Sequence, residues 1–251
     1  MLYAALTFWL LVIVFSAWGV HWLWSQLVKP RVVNTVLLPG TLVAQLGHVL
    51  GLLVTGNAVS NTKLMDDDET GEPRTDTPEK QRIPIIGSVL VGLLPLAACA
   101  ACLYVAARTL GDGVIANPDN PVNQLPLSLP RSLEETWALL HAAVYAAEHM
   151  LTTILRSDLK NWMNVLFLYL AVCLTVRMSP FEGNRRGAVA AILLAGLVIG
   201  VLALVASPVE AAVQSSWPIL SFTVGMLLFL LLVSLLISGI VGMVRIFAQS
   251  E

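Results

Sequence analysis

Long stretches of this chain carry no charged side chain, and this constrains its fold more than any other feature. Asp, Glu, Lys and Arg do not occur in residues 1–28, 32–62, 83–107, 187–209 and 211–244. Overall, 57% of the residues are hydrophobic and only 12% are charged, whereas soluble domains carry roughly 25% charged residues. The sequence therefore predicts an all-α, multi-pass integral membrane protein. It excludes a disordered chain, a disulfide scaffold and a nucleic-acid binder.

The apolar stretches predict where the chain crosses the membrane. A helix needs about 20 apolar residues to span the hydrocarbon core, and six spans are predicted near residues 3–27, 36–59, 83–107, 161–178, 187–206 and 219–247. A further helix over 132–155 is indicated by Ser132 and Glu135, which match a capping box. This helix is less apolar, so it lies either at the membrane interface or inside the bundle. Residues 1–251 are predicted to form a single membrane domain, a transmembrane helical bundle.

Charge is concentrated in one polar segment. Residues 61–82 hold eleven of the thirty charged side chains and have the composition of a solvated loop. With six spans, a cytoplasmic N-terminus places eight of the 14 Lys and Arg residues inside and six outside. The positive-inside rule favours this orientation by a narrow margin, and the preference reverses if the helix at 132–155 also crosses.

The few polar side chains in apolar segments are the functional candidates, because an ionisable group in lipid is costly. Gln45 and His48 stand three residues apart in the second span and therefore share a helical face. His141, Glu148 and His149 lie on the extra helix, where they suit a wet face at the level of the headgroups. Gln45, His48 and Glu148 are expected to have structural roles, with Gln45 and His48 forming hydrogen bonds that join helices.

Other residues are expected to serve packing or anchoring. Arg177 ends the fourth span and should extend toward the interface, where His21 is also expected. The three cysteines lie in apolar runs and are interpreted as small packing residues. Small-residue faces suit close helix packing; they occur at Gly196–Gly200, Ser234–Ser238 and Gly239–Gly242.

Residues 38–64 (LPGTLVAQLGHVLGLLVTGNAVSNTKL) resemble the metal-binding helix of the site-2 protease class of intramembrane zinc metallopeptidases. The family has His-Glu-x-x-His at the positions occupied here by Ala44–His48. Residues 83–96 are similar to the family's next span. Residues 161–184 resemble the helix that supplies the third zinc ligand. The resemblance covers roughly residues 35–205 and implies a membrane-embedded, protease-like bundle.

The departures from the family pattern concern its chemistry. Ala44 stands in place of the first His ligand and has no donor atom. Gln45 stands in place of the Glu that activates the metal-bound water, and its amide cannot act as a general base. His48 remains, and Glu182 occupies the position of the acidic ligand. A catalytic zinc site needs three ligands and an open position, so the resemblance implies a pseudoenzyme with no catalytic residue and no cofactor.

We interpret the chain as a non-catalytic, site-2-protease-like subunit or helix-binding scaffold of a larger membrane assembly. Its expected partners are lipid and the transmembrane helices of other subunits. One alternative is a zinc metallopeptidase with rearranged ligands, in which His141 or His149 joins His48 and Glu182. A second alternative is a transporter or channel component, suggested by the interrupted second and third spans.

Overall fold

The structure is a computed structural model, which describes residues 2–56, 60–63, 74–76, 84–111, 114, 125–179, 192–194, 196 and 207–249. Within these residues the fold is helical apart from one short pair of strands. Glu182, most of the predicted span at 187–206 and most of the polar segment at 61–82 lie outside the described residues.

Seven helices are assigned within the described part of the chain: α1 Leu2–Leu27, α2 Pro30–Val36, α3 Leu38–Val54, α4 Pro84–Leu110, α5 Leu133–Arg156, α6 Trp162–Val176 and α7 Ser207–Gln249. Four of them, α1, α4, α5 and α7, contain stretches long and apolar enough to cross a membrane. The pair α2–α3 is a candidate for a fifth span. The described helices thus have the lengths and composition of a multi-pass membrane protein.

The predicted second span is broken into two helices. The break falls at Leu37, and the axes of α2 and α3 differ by 82°. Pro39 lies in the first turn of α3, where a missing backbone N–H leaves no hydrogen bond unmade. Instead of reaching residue 59, the helix ends at Val54. Gly56 follows with a φ of 70°, a left-handed conformation that glycine adopts without steric cost.

Two other predicted spans are longer and more continuous than expected. The third is the uninterrupted helix α4, which contains Pro95 rather than ending there. The sixth is part of α7, which begins at Ser207 and contains Pro218. Proline removes one backbone hydrogen bond from a helix, and flanking turns in both helices continue past that point.

The helix predicted from its capping box is α5. The Ser132 hydroxyl accepts a hydrogen bond from the Glu135 N–H at 3.1 Å. The Glu135 carboxylate in turn accepts from the Arg131 N–H at 2.6 Å. These bonds satisfy backbone donors that have no partner inside the helix. On its inner side α5 packs along α7, where Gly225 lies against the carbonyl of Ala146.

The polar segment contains a small element of sheet. Strand β1, Ser60–Lys63, pairs antiparallel with β2, Arg74–Asp76. In the register, Ser60 lies opposite Asp76 and Lys63 opposite Arg74. Helix periodicity and composition did not predict this pairing; the other elements with assigned bounds are helices, as the all-α prediction expects.

Helices α1 and α7 pack side by side and run in the same direction. Gly19 lies against the side chain of Leu231. Five residues further along α1, Trp24 Nε1 donates to Ser234 Oγ at 2.7 Å. Since the contacts advance together along both helices, the two are parallel.

The segment that precedes α5, residues 125–130, is hydrogen-bonded to both α1 and α7. Trp9 Nε1 on α1 donates to the carbonyl of Pro126 at 3.2 Å. Trp217 Nε1 on α7 donates to the carbonyl of Leu125 at 2.8 Å. The Leu125 N–H donates to Ser221 Oγ at 3.1 Å. This non-helical backbone therefore has its polar groups satisfied by side chains of the bundle, as buried backbone requires.

We expect Trp217→Phe to lower the free energy of unfolding by about 2–4 kcal/mol, because it leaves a buried carbonyl without its donor and a cavity in the core. The indole is buried, and Phe lacks both Nε1 and part of the ring volume. Denaturant titration in detergent micelles measures the effect. Trp22→Phe is the control, since Trp22 is 50% exposed. Equal losses in the two variants would contradict the assigned role of the Trp217 hydrogen bond.

Candidate functional site

Helix α3, which carries Gln45 and His48, is in direct contact with the backbone of α4. A Cβ atom added at Gly47 would lie 2.7 Å from the Leu94 carbonyl oxygen and from Pro95 Cα. One turn later, a Cβ at Gly51 would lie 2.9 Å from Val91 Cα. The contacts advance along α3 as they recede along α4, so the two helices are antiparallel. Only glycine permits so close an approach.

The start of α3 is packed equally closely on α6. A Cβ at Gly40 would overlap the carbonyl of Cys173. The carbonyl of Val36, which is left without a helical partner by the break, accepts a hydrogen bond from the Tyr169 hydroxyl at 2.8 Å. Cys173 Sγ lies 3.5 Å from the same carbonyl. Helix α3 is therefore held between α4 and α6, and α6 satisfies the backbone exposed by the break.

The positions that correspond to the family's motif are all in the packed interior. Ala44 is completely buried, and Gln45 and His48 are nearly so. The His48 imidazole makes a hydrogen bond to the backbone of Val91 on α4. A bond from one helix to the backbone of another is the kind of contact expected for a structural residue in a membrane protein.

The polar residues of α5 lie elsewhere in the fold. His141 is exposed, and its ring centroid is 5.1 Å from that of Trp137 in an edge-to-face contact. His149 is half-buried, with Nδ1 3.3 Å from Thr153 Oγ1 on the same helix. Glu148 is exposed. These three side chains belong to a helix that packs on α7, whereas His48 lies between α3 and α4.

No group of three His, Cys, Asp or Glu side chains that could hold a metal ion occurs among the described residues. Glu182, the acidic position in the resemblance to the protease class, lies outside them. The rearranged ligand set therefore remains a prediction. It would have to bring a histidine of α5 to the buried side of α3.

Sequence reasoning missed the buried cation of the bundle. Arg177 immediately follows α6 and was expected to extend toward the interface, but it is only 4% exposed. Its Nη2 donates to Asn34 Oδ1 on α2. Its Nη1 lies 3.3 Å from His21 Nε2 on α1. The expectation of an extended side chain is thus wrong, because partners on two other helices hold the guanidinium inside.

The contact with Arg177 determines which ring nitrogen of His21 carries the proton. Guanidinium has no acceptor atom, so His21 Nε2 must accept from it and be unprotonated. The proton of the neutral imidazole is then on Nδ1, which lies 3.4 Å from Ser25 Oγ. We call the chain Ser25, His21, Arg177 and Asn34 the Arg177 network. It joins α1, α2 and α6 where the end of α6 meets the last turns of α1.

The sequence carries a signal for the depth of Arg177 but not for its partners. The predicted span 161–178 has 18 residues and helix α6 has 15, and at about 1.5 Å per residue both are shorter than the roughly 30 Å of hydrocarbon. A residue that ends so short an apolar helix lies deeper than one that ends a full span. The partners on α1 and α2 are more than a hundred residues away in the chain, so no local pattern points to them.

Of the predicted small-residue faces, one packs closely on another helix and one does not. Gly196 lies against Thr7 of α1, as close packing requires. A Cβ at Gly239 or Gly242 would meet nothing within 4 Å. The predicted packing at 239–242 is therefore not made within the described part of the chain.

Comparisons with protein-family models, curated proteins and solved structures found no match for this chain.

Proposed function

We propose that this chain is a non-catalytic, site-2-protease-like subunit or helix-binding scaffold of a larger membrane assembly. The observation that carries the proposal is the glycine-mediated contact of α3 with the backbones of both α4 and α6. It fixes the segment that would hold the metal in a metallopeptidase, and it leaves the outer surface of the bundle for binding.

Close packing around His48 argues against metal-dependent hydrolysis at α3. A catalytic zinc ion needs three protein ligands and an open position for water. Here the residue before His48 contacts the backbone at Leu94 and Pro95. The ring of His48 is engaged with Val91, and neighbouring Ala44 offers no donor atom. The helix surface serves as a packing face.

The outer surface supports a binding role. Exposed side chains along α3 and along the part of α7 after Leu231 are largely Leu, Val and Ile, and α5 exposes a row of apolar residues among polar ones. Such surfaces pack against lipid or against helices of other subunits. We also propose that α6 and the predicted span at 187–206 cross the membrane in addition to the five candidate spans.

The test combines metal content with assembly mass. The protein is extracted from its native membranes into lipid nanodiscs, and zinc is measured by elemental analysis in the wild type and in His48→Ala. We expect far less than one zinc per chain in both and a particle larger than the 27.0 kDa chain. One zinc per chain that is lost in His48→Ala would overturn the non-catalytic role. A particle with a single 27.0 kDa chain and no other protein would overturn the assembly role.

A transporter or channel component is the second candidate, favoured by the 82° break between α2 and α3. Broken helices in transporters expose backbone groups to a substrate or ion. Here the carbonyl of Val36 is already bonded to Tyr169, and Asn34 to Arg177. Because these groups at the break are bonded within the bundle, they are not offered to a substrate or ion. A transporter or channel is therefore the second candidate.

A further inference from the structure

The outward side of α5 carries a row of apolar side chains, with His141 and Glu148 exposed on the same side. Its members are spaced by three, four or seven residues, so they lie one above another along the helix. Each is at least 43% exposed; they are Leu133, Trp137, Leu140, Val144, Leu151 and Leu155. We call these six residues the α5 stripe. It faces away from α7, the helix on which α5 packs.

A carboxylate interrupts this stripe. Glu148 comes four residues after Val144 and three before Leu151, so it shares their face. Its side chain is exposed. Among the contacts of the described residues, the carboxylate has neither a hydrogen bond nor an ion pair. An acidic group is thus presented outward between apolar neighbours.

The position of Glu148 places it at membrane depth. The middle of α5 packs on the middle of the most apolar span, since Ala146 contacts Gly225 within the stretch Val213–Val244 of α7. Glu148 lies eight residues before Arg156, the last residue of α5, which corresponds to about 12 Å along the axis. A carboxylate that faces lipid at such a depth is expensive, so it is normally paired.

We propose that the α5 stripe docks a transmembrane helix of a partner protein that carries a Lys or Arg side chain at the depth of Glu148. This inference rests on the proposed function and names the surface through which it acts. The apolar stripe supplies the packing surface, and the carboxylate selects a basic residue by charge.

A second copy of this chain fits the stripe less well. In a two-fold pair about an axis along the membrane normal, residues at the same depth meet each other. Glu148 would then face Glu148, and like charges at close range repel. A basic residue on a different helix removes this repulsion and satisfies the carboxylate.

The test uses designed probe helices and the intact 251-residue chain in liposomes. Each probe is a 24-residue Leu/Ala transmembrane helix with Lys, Leu or Glu at the depth of Glu148, and association is measured by fluorescence energy transfer. We expect the Lys probe to bind about tenfold more tightly than the Leu probe. Glu148→Gln should abolish this preference, and Glu148→Lys should transfer it to the Glu probe. Glu134→Gln, which changes an exposed carboxylate in the first turn of α5, should leave it unchanged.

Three outcomes would overturn the inference. Equal binding of all probes would mean that lipid covers the stripe. Energy transfer between copies of the protein that is lost in Glu148→Gln would identify a second copy as the occupant. A native assembly whose mass is unchanged by Glu148→Lys would place the interface elsewhere while leaving the proposed function intact. By contrast, a wild-type protein that is monomeric in native nanodiscs would overturn the proposed function itself.

Discussion

Gly47→Ala is expected to lower the free energy of unfolding by about 1–3 kcal/mol, the usual range for overpacking a close contact. The added methyl group would lie 2.7 Å from the Leu94 carbonyl oxygen and from Pro95 Cα. Both atoms belong to the backbone of α4, so neither can move away by a change of rotamer, as a side-chain atom could. The substitution has to push α3 and α4 apart along their closest contact. Unfolding titrations in mixed micelles measure the loss.

Gly239→Ala on α7 is the matched control, because a Cβ there meets nothing within 4 Å. Alanine is favoured over glycine in helices by up to about 1 kcal/mol, so this variant should be neutral or slightly more stable. Both variants add one methyl group to an apolar helix, and only the surroundings differ. Similar losses at the two positions would mean that α3 and α4 are not in backbone contact.

Removing the buried guanidinium should have a comparable effect. Arg177→Met keeps much of the side-chain volume but deletes the donors to Asn34 and His21. Hydrogen bonds to charged groups contribute about 1.5–3 kcal/mol each, and the substitution removes the charged donor from both. We expect the free energy of unfolding to fall by about 3 kcal/mol. Arg177→Lys should recover part of this, because an ammonium retains the charge but not the planar fork of donors.

Two further variants test whether the loss of stability in Arg177→Met comes from the Arg177 network or from removing any positive charge. Arg108→Met removes an exposed arginine whose guanidinium lies 5.4 Å from the centroid of the Tyr104 ring. Its cost should stay within about 1 kcal/mol. Arg177→Met combined with Asn34→Leu should cost less than the sum of the two single variants, because both single variants remove the same hydrogen bond. If the two losses add, the assigned pairing is incorrect.

Features governed by local chemistry could be read from the sequence. Long apolar stretches predicted the helices because hydrocarbon leaves the backbone few alternatives. Ser132 and Glu135 predicted the start of α5 because a cap depends on residues three positions apart. The break at Leu37 was less readable, since a proline near a helix start can either begin a helix or interrupt one.

Features that depend on distant partners could not be read in the same way. The spacing of Gln45 and His48 placed both on one face of α3, and both are buried there. That Gly47 and Gly51 would meet the backbone of α4 was not evident, because glycine is common in membrane spans. Arg177 was misread for a similar reason: a cation at a helix end goes to the interface unless acceptors elsewhere in the fold hold it.

The parallel packing of α1 and α7 has a consequence for the sidedness of the chain. Two parallel spans enter the bilayer from the same side, so the crossings counted from one through the other must be odd in number. The five candidate spans among the described residues satisfy this. If α6 also crosses, one further crossing before α7 keeps the number odd.

Contacts on α1 indicate where that further crossing lies. Arg177 contacts His21, whereas Gly196 contacts Thr7, fourteen residues earlier in the same helix. This separation is about 21 Å along the axis, so Arg177 and Gly196 contact α1 near its opposite ends. If α1 and α7 both cross the membrane, Leu2 and Gln249 face opposite compartments. A partner that binds the bundle near both of these residues would then have to cross the membrane as well.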